Sequence, residues 1–144
     1  MLFKIIAVGK LKDKALAAKT AEFEKRIQAF GKLEVVELKD GTKEKECARI
    51  LEALEKERGL IIVLSEEGAE LTSQAFSGVI SSADRKLIFV IGGPYGLSDE
   101  VKKRAEKVLS LSKMTFTHEM CRFFLTEQIY RAIAIARGIK YHND

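Results

Sequence analysis

A chain of 144 residues with 47% hydrophobic and 32% charged residues is long enough for one packed domain, too short for a second, and too apolar to be disordered. Its net charge of +4 permits a nucleic-acid partner without demanding one, and no apolar run approaches the ~20 residues of a membrane-spanning helix, so no membrane role is expected. Leu2 to Val8 is too short and interrupted for a signal peptide, and Cys47 and Cys121 lack metal-ligand spacing, so a cytoplasmic chain with reduced thiols and no metal is expected.

In chain order, Leu2 to Val8 reads as a strand ended by Gly9. The basic loop Lys10-Leu-Lys-Asp-Lys14 follows; it is either a solvated edge, the simpler reading, or a phosphate contact. Leu16, Ala21, Phe23, Ile27 and Phe30 give a helix over about 13–30, with Glu22 and Arg26 one turn apart. Leu33 to Leu38 is a second strand, and Asp40-Gly41 a turn. Thr42 caps a helix whose Cys47, Ile50, Leu51 and Leu54 form an apolar stripe. Leu60 to Leu64 is an uninterrupted apolar strand, with Ser65 to Gly68 beyond its carboxyl end, and 72–83 is a short amphipathic helix.

The run Leu87 to Ile91 does not alternate, which suits a strand buried on both faces of a parallel sheet. It stops in Gly92-Gly-Pro-Tyr-Gly96, whose glycines allow a ligand to touch the main chain. No Lys-Ser or Lys-Thr follows, so this is not a P-loop, and the spacing is not the dinucleotide fingerprint. Ser98 reads as an N-cap with Asp99 and Glu100 behind it, a pair that opposes an anion and favours a neutral or cationic ligand; a plain strand-to-helix turn is the alternative.

That helix is expected to run to Val108, with Val101, Ala105 and Val108 on one face. Leu109 to Phe116 alternates apolar and polar residues, as a strand or a ligand-lining segment would. The last helix spans His118 to Arg137, capped by Thr117 and stopped by Gly138. It is apolar on more than one side, which calls for the sheet on one side and a further partner, such as a second copy, on the other. Alternating strands and helices predict a single-domain α/β fold over 1–144, a mainly parallel sheet with helices on both faces.

Several ordered blocks closely resemble the RlmH family of SPOUT methyltransferases: Ile5 to Lys12, Glu22 to Arg26, Ile91 to Ser98, Leu109 to Phe116, His118, Arg122, Glu127 to Ala132 and Tyr141-His142. The resemblance implies a C-terminal trefoil knot, a homodimer, and methyl transfer from S-adenosyl-L-methionine to N3 of a pseudouridine in 23S ribosomal RNA on the assembled ribosome. By position it implies that Leu64, Gly92, Leu111, Ser112, Lys113, Met114, Thr115 and Phe116 bind the cofactor. Strand ends are where an α/β sheet holds ligands, so the two readings agree on the place.

Removing the N3 proton needs an acceptor, and His142, Tyr141 and Glu127 are the catalytic candidates, with His118 a fourth. Arg122 and Arg131, aided by Lys113, are candidates to hold RNA phosphates, and His118 is placed with them; a Glu127–Arg131 pair and core packing of Tyr130 are the plain alternatives. A SPOUT methylase with another RNA target and a non-catalytic ligand-binding α/β module are the competing functions.

Overall fold

The computed structural model describes residues 1–143. Its elements are β1 (Leu2–Val8), α1 (Lys14–Gln28), β2 (Lys32–Leu38), α2 (Lys43–Glu55), β3 (Leu60–Glu70), α3 (Ser73–Ser81), β4 (Leu87–Ile91), α4 (Asp99–Arg104), β5 (Lys107–Ser110) and α5 (His118–Arg137). The strands form one sheet in the order β2-β1-β4-β3-β5, all pairs parallel. Each strand of a parallel sheet needs a crossover back to the same edge, and here helices supply them.

Side-chain alternation sorts the core into two layers. Phe3, Ile5, Ile62, Leu64, Phe89 and Ile91 pack with α1, α3 and α5. Ile6, Val8, Ile61, Val63, Ile88 and Val90 face the other way, onto Cys47, Ile50 and Leu54 of α2 and Val101 of α4. All five residues of β4 are buried, as the unbroken apolar run predicted. Helices therefore cover both faces of the sheet.

Two stretches differ from their sequence patterns. The helix expected to reach Val108 ends at Arg104, because Val108 pairs with Val63 in the sheet and Glu106 bonds Ile61 through both its backbone N–H (3.0 Å) and its carboxylate (2.6 Å). Strand pairing outweighs the helical spacing of Val101, Ala105 and Val108. Ser65 to Gly68, expected as a loop, belongs to β3, but the register breaks there: Leu64 and Ala69 both oppose Leu109. Gly68 sits so close to β5 that a Cβ would lie 2.5 Å from the Val108 carbonyl oxygen, and the bulge turns Ser65 and Glu66 out of the ladder.

α5 finds partners on both flanks within its own chain. Ser77 Oγ of α3 donates to the Ala132 carbonyl at 2.7 Å, and Phe23 of α1 meets the rings of Phe123 and Tyr130. Ile133 is wholly buried, so a charge there unfolds the domain instead of reporting on a second copy. Met120, Phe123 and Phe124 remain half-buried. Among the cysteines, Cys47 is buried and Cys121 half-buried, both free.

Glu57 ties β1 to the chain entering β4, accepting from Lys4 Nζ and from Lys86 Nζ at 2.8 Å. Burial alone raises its pKa, but the hydrogen bonds and charges of Lys4 and Lys86 outweigh that and hold it below the ordinary value. Lys4 is depressed by burial and raised, on balance, by Glu57 and Glu34. The carboxylate's contribution is thus present above the ordinary glutamate pKa and lost as pH falls through the lowered one; the lysine's is present below the ordinary lysine pKa and lost as pH rises through the raised one. Glu57→Gln should cost about 1–3 kcal/mol in urea unfolding at pH 7 and flatten the acid limb of stability against pH. Identical acid limbs in variant and parent would contradict this role.

Candidate active site

Parallel register sets the carboxyl ends of β1, β4 and β3 side by side: Ala7 pairs with Ile91, and Val63 with Val90. Above them opens a cleft of about 720 Å³. Leu64, Ser65 and Glu66 form one wall and the 91–97 turn another; Leu111, Ser112 and Met114 to Phe116 cross over it, and His118, Glu119 and Cys121 of α5 close it with Asp13 and Leu16 of the α1 start. Five chain segments meet there.

The turn is shaped by close approaches on its inner side. Gly96 has φ +77, and its N–H donates to the Gly93 carbonyl at 3.0 Å. A Cβ on Gly92 would lie 2.7 Å from Leu97 Cδ2, and one on Gly93 2.5 Å from Glu46 Oε1. A side chain at Gly92 therefore collides first with Leu97, tucked beneath the turn, before any question of space in the cleft. Glu46 is buried; its Oε2 accepts from Gly41 N–H at 3.0 Å, while Oε1 has no hydrogen-bond partner among the described residues. Its place on the Ile50–Leu54 stripe, four residues before Ile50, is the signal that sequence reading passed over.

Among the described residues no lysine or arginine lines the cleft; Asp13, Glu66 and Glu119 do. Glu66 Oε2 accepts from Thr115 Oγ1 at 3.0 Å, and Glu119 Oε1 accepts the backbone N–H groups of Lys12 (2.7 Å) and Asp13 (3.0 Å). Apolar walls of Leu64, Ile91, Leu97, Leu111 and Phe116 with acids around them suit a flat apolar group joined to a cation, and suit a phosphate poorly. This donor set fits S-adenosyl-L-methionine, which carries a sulfonium and no phosphate. The His118 ring also reaches the cleft, against Gly9: with φ +86 there, a Cβ would come within 3.3 Å of Nε2.

The residues singled out from the sequence fall into four places. Leu64, Gly92, Leu111, Ser112, Met114, Thr115, Phe116 and His118 share the cleft, with Met114 at its mouth, 75% exposed. Lys113 is exposed just outside it. Glu127, Arg131, Tyr141 and His142 form a separate cluster; only Glu127 borders a neighbouring hollow of about 270 Å³, which shares Leu111 and Phe116 with the cleft. Asp13, Leu16, Glu119 and Cys121 were not anticipated, because they arrive from the two helix starts.

In the second cluster Glu127 Oε1 accepts from Arg131 Nε (2.8 Å) and from the Tyr141 hydroxyl (3.2 Å), and Arg131 lies over the Tyr141 ring. Burial, then the Glu127 charge, pushes the Tyr141 phenol above its ordinary pKa. Arg131 Nη1 stands 2.9 Å from His142 Nδ1, and a guanidinium only donates. Nδ1 therefore accepts in this arrangement, while Gln74 Nε2 of α3 stands 3.1 Å from His142 Nε2. Arg122 is elsewhere again: buried on α5, its Nη1 paired with Glu37 of β2 at 2.5 Å, it fastens the last helix to the sheet edge.

Comparison with known proteins bears on the same span. The family model described as "Predicted SPOUT methyltransferase" matches residues 1–142. Ribosomal RNA large subunit methyltransferase H of Prochlorococcus marinus is 40% identical, covering 99% of this chain and 96% of that protein. The proteins of that name from Bacillus pumilus and Kosmotoga olearia are each 41% identical, with 99% of both chains covered. Among solved structures, a probable methylase family protein from Haemophilus influenzae Rd KW20 superposes with a TM-score of 0.56 at 12% identity over 99% of this chain and 70% of that one, a likeness of fold. With near-complete coverage at this identity, and with the cleft where strand ends and glycine turn converge, the chain belongs to the RlmH family of SPOUT methyltransferases.

Proposed function

We propose that this chain methylates N3 of a pseudouridine in 23S ribosomal RNA of the assembled ribosome, with S-adenosyl-L-methionine as donor, in the cytoplasm. The observation that carries the reading is the cation-free, acid-bordered cleft beside the glycine turn, in a chain whose relatives are named for large-subunit rRNA methylation. Leu64, Leu111, Met114 and Phe116 enclose the adenine, the main chain at Gly92 and residues 112–115 hold the polar edges, and Glu66 and Glu119 favour the positive sulfur. When bound, the cofactor supplies an electrophilic methyl group. The protein's task is then alignment, worth at most ~7–11 kcal/mol, and removal of the N3 proton.

Of the titratable groups, His118 stands in the cleft, while Glu127, Tyr141 and His142 are held together outside it. This separation supports a homodimer in which the Tyr141-His142 tail of one protomer serves the cleft of the other; the half-buried Met120, Phe123 and Phe124 are its contact surface. The family's trefoil knot belongs to the same reading. The His142–Arg131 contact opens when the tail engages RNA.

Calorimetry should detect S-adenosyl-L-methionine binding, and Gly92→Val should weaken it at least tenfold while leaving a folded chain, because the added methyls displace Leu97 and the turn with it. Unchanged affinity would remove the cleft from consideration. Labelled-methyl transfer to ribosomes lacking the modification, with the product mapped, decides the substrate; a cofactor-binding protein that leaves them unlabelled has another target. His142→Ala should lower turnover far more than cofactor affinity. In sedimentation the parent should run as a dimer and Met120→Glu should shift it toward monomer, whereas a monomeric parent at micromolar concentration ends the shared-site reading.

A further inference from the structure

The loop from Lys10 to Lys14 runs along the rim of the cleft, and its backbone is tied down at four points. Gly9 N–H donates to the Leu38 carbonyl at 2.8 Å, and Gly9 packs under His118. Glu119 Oε1 receives the N–H groups of both Lys12 and Asp13, and Asp13 Oδ1 caps α1 by accepting from Leu16 N–H at 3.0 Å. A solvated charge run needs none of these restraints.

The side chains of Lys10, Lys12 and Lys14 are nonetheless exposed, and none has a carboxylate partner among the described residues. Glu119 Oε1 accepts backbone N–H groups, and its carboxylate is in no ion pair with these lysines. The charge pattern is thus divided: acids and, among the described residues, no lysine or arginine line the cleft, while three exposed lysines without a carboxylate partner sit on the loop that brings Asp13 to its wall. Such a site attracts a cation inward and holds a polyanion across the opening.

We propose that Lys10, Lys12 and Lys14 form a preset phosphate-backbone contact that lays RNA across the mouth of the cleft. This rests on the functional reading above for the identity of the RNA, but not for the contact itself. Because the backbone of the loop is already ordered, binding costs little more than lysine rotamer freedom. The contacts carry no sequence information; they set register, so that one nucleotide stands over the cleft.

The test compares Lys10→Gln/Lys12→Gln/Lys14→Gln with Lys45→Gln/Lys56→Gln/Lys103→Gln, which removes equal charge from α2, the residue that caps its end, and α4 on the opposite sheet face. Binding of each full-length protein to isolated large ribosomal subunits is measured between 50 and 300 mM salt, with S-adenosyl-L-methionine calorimetry on the same preparations. Each phosphate contact contributes about 0.9 to the salt slope, or roughly fivefold in affinity at 0.15 M, so losing two or three contacts should cost roughly 30-fold or more and reduce the slope by about 2–3. Cofactor affinity should not change, and the control triple should stay within about threefold of the parent. A rim variant that binds like the parent, a control that loses as much, or a parent whose RNA binding ignores salt each overturns the proposal. If the rim variant loses affinity as expected but the parent transfers no methyl group to ribosomes, the contact stands and the reaction assigned above falls.

Discussion

The burial of β4 on both faces is the constraint on which the rest of the structure depends. Five apolar side chains with no exposed edge can be satisfied only at the centre of a parallel sheet, between β1 and β3, with helices above and below. Their burial is worth on the order of 10 kcal/mol, comparable with the net stability of a small domain. Because the strand is central, its carboxyl end is central too, and the turn after Ile91 opens where three strand ends meet. The glycines of that turn then follow from packing: Leu97 and Glu46 press from beneath, leaving the upper main chain for the cleft.

Charge is distributed to match. Acids brought by the β3 bulge and by the starts of α1 and α5 line the cleft, while lysines stand on the rim. The two helix starts are locked together by Glu119, so the same carboxylate that borders the cleft also sets the loop beside it. Arg122, buried between helix and sheet, holds α5 against Glu37. Arg131 is likewise engaged, binding Glu127 and receiving the tail.

Much of this was legible from residue order alone. Thr42, Ser98 and Thr117 read as helix caps, and each accepts the N–H three residues on, as Asp13 and Thr72 also do in the structure. Gly138 ends α5 in the left-handed conformation, as a glycine after a long helix should. Local patterns failed where a long-range contact competed: Val108 has helical spacing from Val101 but gains more from pairing with Val63, and Ser65 to Gly68 looks like a loop although β5 recruits it as a bulged strand.

By itself the sequence determined the α/β class, the buried central strand, the glycine turn at its carboxyl end and the family, because each is written in neighbouring residues or in ordered motifs. Only the tertiary structure decided which of the marked residues meet. It gathered Leu64, Gly92, Leu111, Ser112, Met114 to Phe116 and His118 into one cleft, set Glu127, Arg131, Tyr141 and His142 apart in another cluster, buried Arg122, and added Asp13, Glu66 and Glu119 to the cleft wall. The reason is physical: periodicity reports which face of an element is apolar, whereas the neighbour of a polar side chain depends on strand order, register and crossover, which are settled only when the whole sheet closes.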